Sequence, residues 1–542
     1  MMLLRPLATA LALVLAAPAL AQGPIVQAPS GSVQGTQTGT IRTFKGIPYA
    51  VPPVGAMRWR PPAPMQPWKG VRQATAFGPA CVQPQSKAVS VYSPAAPLPS
   101  SEDCLTLNIW APTNAKKAPV FFWIHGGALV SGSSREPMYD GQRMAEKGVI
   151  VVSINYRLGV LGWLAHPSLS TESPQKVSGN YGLLDQMAAL AWVKHNIAAF
   201  GGDAGNVTIA GESAGGLSVL YLLESPLARG TFHKAIAESA YMVSMTELKK
   251  GVHGWPSAEA QGQMLGTALQ VTTLSDLRGM DAQEITNKAA AVGFFPFGNV
   301  DGLVLPEQMT EAFDRRHQAP VPVLAGFNQG EIRSLRSLAP KAPDSAEAYE
   351  KGIRARYGEF ADAFLKLYPA ADYPESILAT TRDALYGWTS ERMARKQTAI
   401  GQPAYLYLWD HGYPAMDQAG LHAFHASELP YVFGTFSDLP PHWPAMPESD
   451  RGLSDAMIGY WTSFAATGKP VAAGAPDWPA FGSARSFLHF TDKAVPETGL
   501  MPGMYDQYEA IVCRRRAKGN IGWNWNVGLN SPPLPPKVAG CD

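Results

Sequence analysis

Short apolar runs alternate with longer helical stretches through the middle of this chain of 542 residues. Val120 to Ile124, Val149 to Ile154 and Val207 to Ala210 are β-branched or aromatic runs of strand length with almost no polar face. Such runs form strands covered on both sides. Leu183 to Asn196, between two of them, has helical spacing. The alternation predicts an α/β fold: a mostly parallel central sheet with helices on both faces. Residues 25–118 read differently. Ser32 to Gly35, Thr43 to Ala50 and Leu105 to Trp110 are short strands between Pro-rich turns with no helical period, which predicts an antiparallel edge. Residues 240–300 and 335–400, including Ala346 to Phe364 and Ala384 to Gln397, carry helical spacing and predict large helical insertions. No internal repeat or long low-complexity segment interrupts the pattern.

One stretch, Phe200 to Gly216 (FGGDAGNVTIAGESAGG), joins a strand to a helix through a serine flanked by glycines. Val207 to Ala210 is the strand, Gly211 to Gly215 spells G-x-S-x-G around Ser213, and Ala214 to Leu223 continues as a small, apolar helix start. A serine whose Oγ stands exposed at a sheet's end needs a tight turn with no bulky neighbours, which explains the glycines. Alone, the pattern is also that of an ordinary turn.

The flanks change that. FGGDAGNVTIAGESAGG resembles the serine signature of the type B carboxylesterases, the family of the cholinesterases and bacterial para-nitrobenzyl esterases. Similarity extends over roughly residues 25–490, through FKGIPYAVPPVGAMRWRPP, NYRLGVLGWL, GNYGLLDQMAALAWVKHNIAAFGG and WTSFAATGKP. The resemblance implies an α/β-hydrolase fold with the insertions over the strand ends. It also implies hydrolysis of carboxylic esters through an acyl-enzyme, with no cofactor and no metal.

A serine hydroxyl is a weak nucleophile at neutral pH, so a base must take its proton and a carboxylate must orient that base. By resemblance His425, in AFHASELPYVFG, is the base and His422 a bystander. Glu331, in the turn after the apolar run of VPVLAGFNQGE, is the acid. The order Ser213, Glu331, His425 is the one α/β-hydrolases use. Around Glu331 the chain departs from the family: Gly330 stands where an acidic residue is usual and Ile332 where a glycine is. WIHGGA, residues 123–128, follows a strand, and the resemblance makes the N–H groups of Gly127, Ala128 and Ala214 the oxyanion hole. A Gly-Gly turn there is otherwise a plain loop or a phosphate cradle, yet no G-x-G-x-x-G or Gly-Lys-Ser/Thr completes a nucleotide motif. Glu212 and Ser239 match a buried polar network near the imidazole, or simply make structural hydrogen bonds. Arg58 with Glu102, and Arg157 with Asp185, match ion pairs that hold the fold. An unperturbed imidazole base titrates at roughly pH 6 to 7.

Charge and cysteine usage narrow the partners and the compartment. With 44 basic and 43 acidic side chains the formal charge is +1, so nucleic acid and anionic membrane are not expected partners. Met1 to Arg5 carries one positive charge, Leu7 to Leu20 is apolar, and Ala19-Leu20-Ala21 is a small-x-small cleavage site. This reads as a signal peptide over residues 1–21, too short to span ~30 Å of hydrocarbon. It leaves residues 22–542 as a single domain, secreted or periplasmic, with a tail from about residue 491 over which the resemblance fades. Residues 514–542 are expected to form a surface strap. Four cysteines allow three pairings, and spacing favours Cys81 with Cys104 and Cys513 with Cys541. The resemblance, through SEDCLTLN around Cys104, supports only the first. No C-x-x-C or H-E-x-x-H spacing suggests zinc.

The expected partner is a small-molecule ester. The positions matching the choline-binding aromatics of the cholinesterases are Pro94 and Ser334, so a choline ester is not expected. Phe294, Phe295 and Phe297 lie toward the acyl side and Tyr92 at the mouth, or all four are ordinary packing. Arg333 is read as an exposed arginine, with a pull on anionic substrates as the alternative. The rival readings are a lipase or amidase with the same triad, and a non-catalytic binding protein of the same fold. Nothing in the sequence speaks to oligomeric state.

Overall fold

The computed structural model describes residues 23–85, 88–271, 273–519, 522 and 527–541. The signal-peptide segment lies outside the described residues. The chain is built on a sheet of eleven strands. In chain order these are β1 (Thr36–Thr38), β2 (Ile41–Pro48), β3 (Thr106–Pro112), β4 (Ala118–Ile124), β5 (Ile150–Ile154), β6 (Gly202–Glu212), β7 (Lys234–Glu238), β8 (Val323–Asn328), β9 (Ala404–Trp409), β10 (Ser486–Phe490) and β11 (Ala494–Thr498). Across the sheet they run β11-β10-β9-β8-β7-β6-β4-β5-β3-β2-β1. The pairings from β5 to β10 are parallel, while β3, β2 and β1 on one side and β11 on the other are antiparallel.

The central strands follow a period of two. Val120, Phe122 and Ile124 of β4 enter one hydrophobic cluster, and Phe121 and Trp123 enter the other. β9 divides likewise, with Leu406 and Leu408 on one face and Tyr407 and Trp409 on the other. Helices cover both faces, as this division requires. On the first lie α1 (Tyr181–Asn196), α2 (Ala214–Glu224) and α3 (Trp388–Ala399), and on the second lies α4 (Arg451–Thr467), which inserts Met457, Trp461 and Phe464.

Two expectations change. Gly31–Gln34 is not part of the main sheet's edge; it pairs with Ile25–Ala28 and Val71–Gln73 in a separate sheet of three strands. The switch falls at Gly35, where a Cβ would lie 2.3 Å from the Thr43 carbonyl oxygen, so only glycine lets the chain pass. Residues 514–542 are also more than a surface strap, since they begin within a helix and Val527 joins the main core. Helix α5 (Met504–Lys518) packs Tyr508, Ile511 and Val512 into the core. Arg514, buried, pairs with Glu359 at 2.8 Å and lies over the Phe360 ring. Both expected disulfides, Cys81–Cys104 and Cys513–Cys541, are formed. Among the described residues no helix is long and apolar enough to cross a membrane.

Candidate active site

Ser213 stands between the end of β6 and the start of α2, with φ 57° and ψ −120°. That is left-handed backbone on a non-glycine residue, which persists only where the surroundings impose it. They do so here by close packing. A Cβ on Gly215 would lie 2.1 Å from the Ile124 carbonyl oxygen, and one on Gly211 would lie 2.5 Å from the Gly215 carbonyl carbon. The Ser213 N–H donates to the Glu238 carbonyl of β7 at 2.9 Å, fastening the turn across the sheet.

The loop after β4 lies against this elbow. A methyl group at Gly126 would sit 3.1 Å from Ser213 Cβ. Gly127 and Ala128 follow with φ of 102° and 57°, and the first of these is open only to glycine. The N–H groups of Gly127, Ala128 and Ala214 donate to no carbonyl or side chain among the described residues. His125, whose Nδ1 donates to the Gly126 carbonyl at 2.8 Å, is pushed down to about 4 by burial and stays neutral.

Glu331 and His425 arrive from the segments that follow β8 and β9. Glu331 opens the turn after β8, fully buried, and its Oε1 accepts the Asn328 N–H at 2.9 Å. Its Oε2 accepts from His425 Nδ1. The departure at Gly330 has a steric reason. A Cβ there would lie 1.7 Å from the His422 carbonyl oxygen, and the Gly330 N–H donates to Ala423 at 3.0 Å, so the acid turn lies directly on the histidine loop. The other ring nitrogen, Nε2, lies 3.1 Å from Glu212 Oε1. This is a contact of charge rather than an aligned hydrogen bond, since Glu212 Oε1 meets no hydrogen-bond geometry among the described residues. No hydrogen bond joins Ser213 Oγ to Nε2 among the described residues; such bonds often close only when substrate is bound. Burial opposes charge on His425, but Glu212 and then Glu331 outweigh it and raise the imidazole to about 9. Burial raises Glu212 to about 7, against the pull of His425.

Of the remaining expected residues, Ser239 is buried with φ 46° and donates its N–H to the Gly326 carbonyl at 2.8 Å, while its hydroxyl makes no hydrogen bond among the described residues. Arg58 and Glu102 pair at 2.7 Å, as do Arg157 and Asp185. Arg333 is half-buried and paired with Glu375 at 2.7 Å rather than free. Phe295 is exposed, Phe294 packs against the small hydrophobic cluster that contains Leu161 and Leu265, and Phe297 lies against the main core.

Three residues near the imidazole escaped the sequence reading. The Tyr386 ring lies 5.4 Å from that of His425. Asn328 donates through Nδ2 to the Phe424 carbonyl at 2.8 Å and to Glu428. Glu428 is buried, and burial together with Glu212, Glu238 and Glu331 pushes its carboxyl well up. The position of Glu428 three residues after His425 was the one available signal. Tyr386 and Asn328 sit on elements whose proximity only the fold creates.

A mostly parallel sheet, a strained serine elbow at its centre and a paired carboxylate and imidazole from the following strands define an α/β-hydrolase. Comparison with known proteins gives the family. The carboxylesterase family model matches residues 22–508. The fumonisin B1 esterase of Sphingopyxis macrogoltabida is 37% identical over 491 residues, covering 87% of this chain and 87% of that protein. The para-nitrobenzyl esterase of Bacillus subtilis is 37% identical over 468 residues, covering 84% and 92%. Among solved structures, a PNB esterase superposes with TM-score 0.76 at 33% identity, covering 89% of this chain and 99% of that one. The chain belongs to the carboxylesterase family and is a carboxylic ester hydrolase.

Proposed function

We propose that the chain cleaves small-molecule carboxylic esters by acylating Ser213, with His425 as general base, Glu331 as its orienting acid, and the N–H groups of Gly127, Ala128 and Ala214 as the oxyanion hole. Ser213 Oγ attacks the carbonyl carbon as its proton passes to His425 Nε2, and the carbonyl oxygen takes the negative charge. Collapse expels the alcohol, protonated by the imidazolium. Water, deprotonated by the same nitrogen, then releases the acid and restores the serine. Glu212, 3.1 Å from Nε2, stabilises the imidazolium formed in each half. The observation that carries the reading is the His425 ring, anchored at Nδ1 by the buried Glu331 carboxylate, with Nε2 3.1 Å from Glu212, the residue that precedes Ser213 at the elbow.

The test is Ser213→Ala. Turnover is expected to fall ~10⁴-fold or more with the fold intact, and retained turnover would sink the reading. Labelling of Ser213 by a fluorophosphonate separates an esterase from a binding protein. Rates on short-chain, long-chain and charged esters beside matched amides separate it from a lipase or an amidase. Ser334 makes its hydrogen bond to the Tyr92 hydroxyl and offers no aromatic face, which supports an uncharged rather than a choline ester. We read residues 22–542 as one catalytic domain exported by the leader, a reading supported by the two disulfides. A mature amino terminus at Gln22 is the expected result of sequencing.

A further inference from the structure

The loop closed by Cys81–Cys104 lies outside the main sheet, yet its Tyr92 reaches both catalytic loops. The Tyr92 hydroxyl donates to the main-chain carbonyl of His425 at 2.8 Å. A phenol has one proton, so in the 2.6 Å contact with Ser334 the serine is the donor. The result is a directed chain, Ser334 Oγ–H to Tyr92 Oη–H to the His425 carbonyl. It crosses from the acid turn, through the disulfide loop, to the histidine loop. The Tyr92 ring is fixed as well, 6.2 Å from Phe424 and 6.3 Å from Trp443, which themselves lie 4.7 Å apart. Burial pushes the phenol well up, against the Ser334 hydrogen bond, so it remains a donor throughout the working range.

The histidine loop needs such support. Ala423 and Ala426, on either side of His425, have φ of 43° and 68°, left-handed backbone on residues that carry a Cβ. Backbone of that kind persists only where outside contacts hold it. Glu331 holds the His425 side chain at Nδ1, but that leaves the position of its main chain open. The Tyr92 hydroxyl grips the main chain at the carbonyl, and through Ser334 it ties that grip to the turn carrying Glu331.

We propose that Tyr92 is a positioning residue for the reaction: its hydroxyl, with Ser334 behind it, sets the His425–Glu331 pair against the Ser213 elbow. The proposal rests on the assignment of Ser213, Glu331 and His425 made above. A residue that only walls the substrate cavity would act through its ring, and Tyr92→Phe keeps the ring.

The experiment uses the full chain with its disulfides intact and follows hydrolysis of a short-chain p-nitrophenyl ester. Tyr92→Phe is expected to lower kcat about tenfold, the cost of one such hydrogen bond, with KM held within about twofold. Ser334→Ala is expected to move kcat the same way, and Ser334→Thr, which keeps a hydroxyl, to restore it. The double variant Tyr92→Phe with Ser334→Ala is expected to be no slower than Tyr92→Phe alone, because the two hydroxyls act as one unit. An unchanged kcat, a raised KM with kcat intact, or losses that multiply in the double variant would each overturn the proposal. If Tyr92→Phe fails to fold, the Ser334→Ala and Ser334→Thr pair decides. Fluorophosphonate labelling separates the two levels of inference. A wild-type protein that does not label defeats the serine assignment itself, whereas equal labelling rates in wild type and Tyr92→Phe defeat only the role of Tyr92.

Discussion

Replacing Glu212 by Gln removes one of the two anions beside the catalytic imidazole while keeping the shape of the side chain. Its Oε1 lies 3.1 Å from His425 Nε2. At an effective dielectric constant near 20 this contact amounts to about 5 kcal/mol, or roughly four pKa units, as an upper bound. The lower bound comes from His425 itself. Despite burial it stands at about 9 rather than 6.5, and Glu212 is the larger of its two charge partners, so its share is at least about one unit. The sign is fixed: loss of an adjacent anion disfavours the imidazolium, so the neutral base survives to lower pH. The assay is kcat/KM against pH, whose acid limb reports the free enzyme. In the wild type the Glu212–His425 pair is expected to release its protons in two steps, the upper one near the raised His425 value of about 9, and full activity to wait for that step. That is higher than the pH 6 to 7 expected of an isolated imidazole, because two buried carboxylates face one ring. In Glu212→Gln the upper step is expected to fall by about one to four units. The plateau rate is expected to drop tenfold or more, since the transition-state imidazolium has lost a partner. An acid limb that stays in place or moves upward would refute the reasoning.

Other consequences follow from the packing. Gly215→Ala would put a Cβ 2.1 Å from the Ile124 carbonyl oxygen, so the elbow and the oxyanion loop must separate, and kcat is expected to fall about 10²-fold to 10³-fold as a donor is lost. Asp410 is held at about 2 by His422 and His489, at 3.0 and 3.2 Å, against its own burial. Its stabilising effect is present above the ordinary carboxylate range and disappears as pH falls through about 2. The raised histidines lose theirs as pH climbs through their folded values. Asp410→Asn is therefore expected to cost about 1 to 2 kcal/mol, after allowing for solvent screening, between roughly pH 4 and 6.5 and less at pH 9. Thermal melts across that range check it, and a loss independent of pH would contradict it. Replacing Cys81 and Cys104 by Ser opens a loop with a sequence separation of 23 and is expected to cost about 3 kcal/mol in denaturant unfolding, while an unchanged midpoint would contradict this.

Local patterns carried much of this protein. Runs such as Val120 to Ile124 are apolar on both faces, which forces a buried parallel strand, and the period-two division of β4 between two cores follows from it. The glycines around Ser213 declared the elbow because only residues without a Cβ can pass so near the Ile124 carbonyl. Where a property depends on what a distant segment brings close, the sequence was silent. The replacement at Gly330 looked like a departure and became intelligible once the His422 carbonyl was seen against it. Glu212 and Ser239 looked alike in one dimension, yet Glu212 lies 3.1 Å from the imidazole while the Ser239 hydroxyl makes no hydrogen bond among the described residues. The protonation of His425, the seating of Arg514 and the hydroxyl chain through Tyr92 are all sums over neighbours far away along the chain. Covalent neighbours set backbone conformation; electrostatics and hydrogen bonding are set by whatever the tertiary structure packs within a few ångströms.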